Sequence, residues 1–258
     1  MINKFIHFIN ERERARILKG AGEPKPWTYD PVLQSYRFCN VRREDDKVTR
    51  WINDNWRGPY YQHPSMPRAM LLARLINWPD TLEEIGFPEV WHARTYADKI
   101  GARMARGDKT WTGAYMITAE KEPGIPKQVS VCKTVEALNF QLRDTCQGVW
   151  EQLQELPRIG SFMAAQVVAD LKHCAELEHA HDKRHFCAPG PGSEKGLNIL
   201  LGVNRVWNQK DFIAEVCKLS DPIWRGTGLI LDNQDIQNCL CEFHKYVRGT
   251  SRSKYNGH

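Results

Sequence analysis

The sequence predicts an all-α fold, with minor β at most. Three observations carry this. Apolar residues recur at helical spacing along most of the chain, Pro/Gly-rich stretches separate those runs, and a Leu-Pro-x-Ile-Gly turn joins two of them. Ile2, Phe5, Ile6 and Ile9 share one face of a first helix. Residues 44–56 form a second, with Val48, Trp51 and Ile52 at i, i+3, i+4. Residues 67–78 are rich in Met, Leu, Ala and Ile. Asp80-Thr81-Leu82-Glu83 reads as the capping-box start of a short helix. Residues 89–106, 132–143, 148–155 and 161–173 follow, and residues 233–248 form the last strong helix. Only 114–118 and 128–131 look extended, and weakly. Breaks fall at 21–26, 57–67, 120–126 and 174–191.

The length of 258 residues allows one large domain or two lobes with ample core. Nine Trp and 10% aromatic residues exclude a disordered chain. A net charge of +5 permits a nucleic-acid partner without demanding one. The N-terminal 20 residues alternate apolar and polar and run into Glu11-Arg12-Glu13-Arg14, unlike a signal peptide, and no apolar run has membrane-spanning length. The eight Cys read as reduced thiols. A soluble, intracellular protein with no membrane partner is expected.

Leu156-Pro157-Arg158-Ile159-Gly160 lies between two helical patterns. The Gly permits a positive φ and a close approach of another backbone. The helix that follows offers free N–H groups and a positive dipole end, which suit a phosphate. The stretch resembles the helix-hairpin-helix of the DNA glycosylase superfamily. That resemblance implies two helical lobes with DNA across a cleft. One lobe would be residues 56–174, ending in the hairpin, and the other 1–55 plus 175–258, the whole forming a single unit. Arg158, Gly160 and Ser161 would contact DNA. The base-excising groups of bifunctional glycosylases are missing. Phe162 stands in place of their Lys, and Phe186-Cys187-Ala188-Pro189-Gly190 in place of the segment bearing their Asp.

Other constellations can carry chemistry. Arg42 and Arg43 stand beside Glu44, Asp45 and Asp46. Two guanidinium groups suit a phosphate or pyrophosphate, and the acids can orient them or act as a base; a solvated helix start with acids at its dipole is the plain alternative. Gly190-Pro191-Gly192-Ser193-Glu194-Lys195 is a Gly-rich turn opening a helix, fit for an anion or for ordinary capping by Ser193. It is not a P-loop. Asn238, Cys241, Glu242 and Lys245 share a helix face. Asp170 is a carboxylate in an otherwise apolar helix, either a buried acid or a hydrogen-bond anchor. His173, Cys174, His179, His181, His185 and Cys187 crowd one stretch, but only His181 and His185 have a familiar spacing, and no metal site is assigned. The Cys spacings exclude an iron–sulfur cluster.

Three segments in order, residues 26–52, the hairpin with the Gly-rich turn (156–171 and 188–198), and 235–246, closely resemble the α-glutamyl/putrescinyl thymine pyrophosphorylase family. The same pattern forms the helical domain attached to phage 5-hydroxymethyl-deoxyuridine DNA kinases. The likeness covers residues 5–248. It departs at His244, where an acid is usual, and at Glu194, where a basic residue is usual. The resemblance implies DNA hypermodification: an amine displaces pyrophosphate from 5-(pyrophosphoryloxymethyl)uracil without cleaving the glycosidic bond. It implies a double-stranded DNA substrate carrying a modified thymine, a free amine or amino acid, and an upstream DNA base kinase. It places the protein, phage-encoded, in the host cytoplasm.

For that reaction, Arg42, Arg43, Lys195, Gly190, Gly192 and Ser193 would hold pyrophosphate. Asp45, Asp46, Asp170 or Glu242 would accept the amine's proton, and Cys39 or Cys241 could add to the base ring. Phe38, Asn40 and Asn238 would meet a flipped base, and Lys245 the DNA. No cofactor is required by these residues, and dependence on a divalent metal stays open. A glycosylase with relocated catalytic groups and a non-catalytic DNA-binding partner of the kinase are the rival readings.

Overall fold

The computed structural model describes residues 1–113 and 124–249. Every regular element among them is helical. In chain order these are α1 (Ile2–Gly20), α2 (Pro31–Ser35), α3 (Lys47–Ile52), α4 (Met66–Ile76), α5 (Pro79–Ile85), α6 (Ala93–Ala105), α7 (Lys127–Glu136), α8 (Cys146–Leu153), α9 (Ser161–Leu171), α10 (Pro191–Leu201), α11 (Gln209–Thr227) and α12 (Asn233–Arg248). Short 3₁₀ and π turns occupy Arg43–Asp45 and Asn53–Arg57. The all-α expectation holds. The weak extended pattern at 128–131 is overturned, because those residues lie in α7. The one at 114–118 falls outside the described residues.

The chain divides into two compact units, Met1–Asp46 with Arg184–His258, and Lys47–Lys183. The first is built on α1, α10, α11 and α12. Phe5, Phe8 and Ile9 of α1, Phe212, Val216 and Ile223 of α11, and Ile236, Leu240 and Phe243 of α12 are fully buried together. Phe5 meets Phe243 edge-on at 5.0 Å, and Phe8 stacks on Tyr246 at 4.6 Å. Helices α10 and α12 touch backbone to backbone. A Cβ on Gly196 would lie 2.0 Å from the Leu240 carbonyl oxygen, and one on Gly192 2.4 Å from Cys241 Sγ. Only glycine fits at such an approach.

In the second unit α4 is almost entirely buried, from Ala69 to Ile76. It packs on α9, whose Ala164, Val167, Val168 and Leu171 are buried. Helices α8 and α9 are joined by the hairpin, with Leu156 and Ile159 turned inward. The left-handed residue of this turn is Arg158, at φ 68, not Gly160, which sits at φ −90 as the N-cap of α9. The Arg158 guanidinium donates to Ser130 Oγ on α7. Trp150 Nε1 donates to the Ser161 carbonyl at 3.0 Å. The capping-box expectation at residues 80–83 fails: Trp78 is the N-cap of α5, and Thr81 Oγ1 donates instead to the Thr110 carbonyl.

Candidate functional site

Within the first unit the chain between α2 and α3 lies along one side of α12, held there from α1. Arg12 of α1, itself buried, is the clamp. Its Nε donates to the Cys39 carbonyl at 3.0 Å, and one Nη donates to the Asn40 carbonyl at 2.8 Å and to Cys39 O. Its other Nη reaches Cys239 Sγ of α12 at 3.5 Å. Nothing in the residue pattern singled out Arg12. The clue in the sequence was a charge on the inward face of an otherwise amphipathic helix, where it must find carbonyl partners.

The two segments that sequence picked out are thereby brought together. The Cys39 N–H donates to Glu242 Oε2 at 3.4 Å, Asn238 Nδ2 to the Asn40 carbonyl at 3.3 Å, and the Arg43 N–H to Asp235 Oδ1 at 3.0 Å. Asn40 ties the loop to itself, its Nδ2 donating to the Asp45 carbonyl at 2.8 Å and its N–H to Asp46 Oδ1 at 3.4 Å. Glu242 is buried, and Lys245 Nζ lies 2.5 Å from its Oε1. Burial works against the Lys245 charge, but Glu242 overrides it and holds the lysine above its ordinary pKa.

The arginines form the other half of this region. Arg16 Nε lies 3.4 Å from Asp45 Oδ2, an ion-pair contact without hydrogen-bond geometry, and Arg16 pairs closely with Glu13. The Arg16 hydrogen bond, followed by its charge and those of Arg42 and Arg12, holds Glu13 below the usual carboxylate range against a desolvation cost. Arg42 and Arg43 are half-buried, and Arg43 Nε is a buried donor with no protein acceptor. Such a donor costs stability unless something accepts from it.

The thiols differ in access. Cys39 is exposed, yet crowding by neighbouring protein, aided by the Glu242 and Asp46 carboxylates, pushes it up to about 12. Crowding is the larger cause and the two carboxylates add to it, so the thiol stays protonated well above neutral pH. Burial and then Glu242 raise Cys241 as well. Cys241 packs against Gly192 of α10.

Several candidates have structural work. Asp170 lies wholly inside the second unit, its carboxylate bound by Arg74 Nε at 2.5 Å and Nη at 2.7 Å, with Arg57 at 3.6 Å. The anchor reading replaces the catalytic one, since no substrate reaches a fully enclosed carboxylate. Phe38, half-buried, packs edge-on against Phe8 at 5.4 Å at the border of the core. Ser193 is buried and caps α10, accepting from the Gly190 N–H at 3.0 Å, and Gly192 is needed for the approach to α12. That gives the Gly-rich turn a packing role in place of an anion cradle. Lys195 remains near α12, where its charge acts on His244. Among the described residues, no group of three or more His, Cys, Asp or Glu is placed to hold a metal ion. Nor is any helix there long and apolar enough to cross a membrane.

The family described as "5-hmdU DNA kinase, helical domain" matches residues 1–255. The chain belongs to this family. A protein of Bacillus phage SP10 named 5-hmdU DNA kinase is 28% identical over 281 aligned positions, which cover 93% of this chain and 44% of that protein. The chain thus spans less than half the length of that relative. No solved structure matches it.

Proposed function

We propose that this chain acts in the hypermodification of thymine-type bases in DNA. In this reading it is a transferase that displaces pyrophosphate from 5-(pyrophosphoryloxymethyl)uracil with an amine. The observation that carries it is the meeting, inside one unit, of the loop bearing Arg42, Arg43, Asp45 and Asp46 with the α12 row of Asn238, Glu242 and Lys245. Membership of a family described by a DNA kinase's helical domain supplies the context of phage DNA modification.

The reaction breaks the bond between the base methylene carbon and the pyrophosphate oxygen and forms a carbon–nitrogen bond. The leaving group departs with the electron pair and needs cations. Arg42 and Arg43 serve this, and the unsatisfied Arg43 Nε is a donor awaiting an acceptor. The amine's proton passes to a carboxylate: Asp45, Asp46 or Glu242. Addition of Cys39 to the ring is disfavoured, because a thiol pushed up to about 12 is not a nucleophile at neutral pH without a base. The two units would be the lobes of a helix-hairpin-helix glycosylase-like fold. The hairpin, with Arg158, Gly160 and Ser161, would grip the DNA backbone, and an upstream DNA base kinase would supply the substrate.

The test is mass spectrometry of nucleosides from DNA carrying the pyrophosphorylated base, treated with this protein and a mixture of amines. A new amino-substituted nucleoside supports the transferase; abasic sites would instead indicate excision. One observation favours a second reading. The relative is more than twice as long as the aligned segment and is named a kinase, which suits a non-catalytic DNA-binding module serving such a kinase. Tight kinase binding without turnover of any amine would establish that reading.

A further inference from the structure

A strip of the first unit outside the candidate site has the make-up of a nucleic-acid contact. Between α1 and α2 the chain is exposed through Pro26 and then turns one side chain inward. Thr28 is buried, while Lys25 and Tyr29 are exposed and Trp27 half-exposed. Lys25 and Tyr29 thus face solvent, and the half-exposed Trp27 ring between them in sequence lies beside Lys19 of α1. The inner side is tied down: Thr28 Oγ1 donates to Glu11 Oε2 at 2.5 Å, and the Thr28 carbonyl accepts from Gln34 Nε2 at 2.8 Å. On the other flank of Tyr29, the Asp30 carboxylate caps α2 and accepts the Tyr246 hydroxyl at 2.6 Å.

Tyr29 is therefore held by fixed neighbours on both sides, yet 77% of its surface is exposed. Its ring adds nothing to the core. Trp27 is oriented by its Nε1 hydrogen bond to the Glu23 carbonyl at 2.7 Å, and the ammonium groups of Lys19 and Lys25 lie 5.6 Å and 5.3 Å from its ring centre. Preoriented aromatic faces interleaved with lysines are the recognition chemistry of unpaired nucleic acid. Bases stack on the rings with little loss of conformational freedom, while the cations follow the phosphates. We infer that residues 25–29 are a stacking platform for unpaired bases of a DNA strand, a contact separate from the loop and α12. The inference rests on the proposed DNA reading and extends it to a second contact.

The test uses the full chain with a fluorescein-labelled oligothymidylate and a fully paired duplex of the same length, followed by anisotropy across a salt series. Tyr29→Ala is expected to weaken oligothymidylate binding roughly tenfold and duplex binding much less. Tyr29→Phe should bind as the parent does, and Lys25→Ala should reduce the single-strand salt slope by about 0.7. Melting curves show whether each variant remains folded; if Tyr29→Ala does not, the Lys25→Ala slope decides. Binding within twofold of the parent for folded Tyr29→Ala, or an equal loss on the duplex, overturns the platform while leaving the DNA reading intact. A parent protein that binds neither probe removes the DNA reading itself.

Discussion

Asp170 gives the sharpest division between structure and catalysis in this chain. It is wholly buried and bound by Arg74 through two short contacts, with Arg57 completing the cluster. Asp170→Asn keeps the shape and removes the charge, leaving two buried guanidinium groups facing a neutral amide. Removing one partner of a buried ion pair costs about 3–5 kcal/mol. At about 2–4 °C per kcal/mol for a chain of this size, the melting temperature should fall by roughly 6–20 °C. Arg74 keeps Thr49 and Asn77 as further partners, which places the expected loss toward the lower end. Circular dichroism melts of parent and variant measure it, alongside specific activity at a temperature where both are folded. The expected pattern is a large loss of stability with specific activity retained per folded molecule. An unchanged melting temperature with abolished activity would refute the anchor assignment and return Asp170 to the chemistry.

Four further outcomes follow from the geometry. Arg42→Ala or Arg43→Ala should abolish amine transfer with DNA affinity retained; full turnover in both single variants would remove them from the pyrophosphate site. Alkylation of Cys39 by iodoacetamide at pH 7 should be slow despite its exposure, and Glu242→Gln should speed it by removing a carboxylate that raises the thiol's pKa; an unchanged rate would disconnect the two groups. Gly196→Ala should destabilise the first unit by about 1–3 kcal/mol or more, because the new methyl would meet the Leu240 carbonyl, and a urea midpoint equal to the parent's would contradict that packing. His244 is held below its ordinary value by burial and then by the charges of Arg248, Lys195 and Lys245. Below pH 6.5 the unfolded chain therefore binds more protons at this residue than the folded one, and stability falls with pH. His244→Asn should flatten the stability loss between pH 7 and 5, and denaturant titrations at both values check it.

Helices carrying one dense apolar stripe were legible in the residue pattern. For α12 the sequence placed both ends, and the structure closes them with Asp232 as N-cap and Gly249 as a left-handed C-cap. Helix α11 is the main omission, although its buried Phe212, Val216, Leu219 and Ile223 recur at helical spacing. Pro222 and Gly226 lie inside it and read as breakers. The proline is tolerated near the C-terminal end, where packing of the buried stripe offsets one lost backbone bond. The slip at 128–131 has the same origin in reverse. Val129 and Val131 suggest a strand locally, but burial of Val131 and Val135 against α4 and α6 fixes a helix.

The site was legible in its parts and not in its assembly. The loop acids and arginines and the α12 polar face were visible as residue types, but their pairing spans about two hundred positions, and no local pattern encodes such a contact. What joins them is Arg12, whose guanidinium binds two loop carbonyls and contacts an α12 sulfur in one cluster. A buried arginine that satisfies backbone carbonyls fixes a loop more firmly than surface ion pairs do, because each carbonyl would otherwise be left without a donor. Arg12→Met should therefore release residues 39–40 from α12 while leaving the aliphatic part of the packing. The consequence is a specific pattern. The Cys39 thiol should become more acidic and faster to alkylate as it leaves Glu242, even though loss of the nearby Arg12 charge by itself pushes the other way. Slower alkylation in that variant would mean that the loop keeps its place without the clamp.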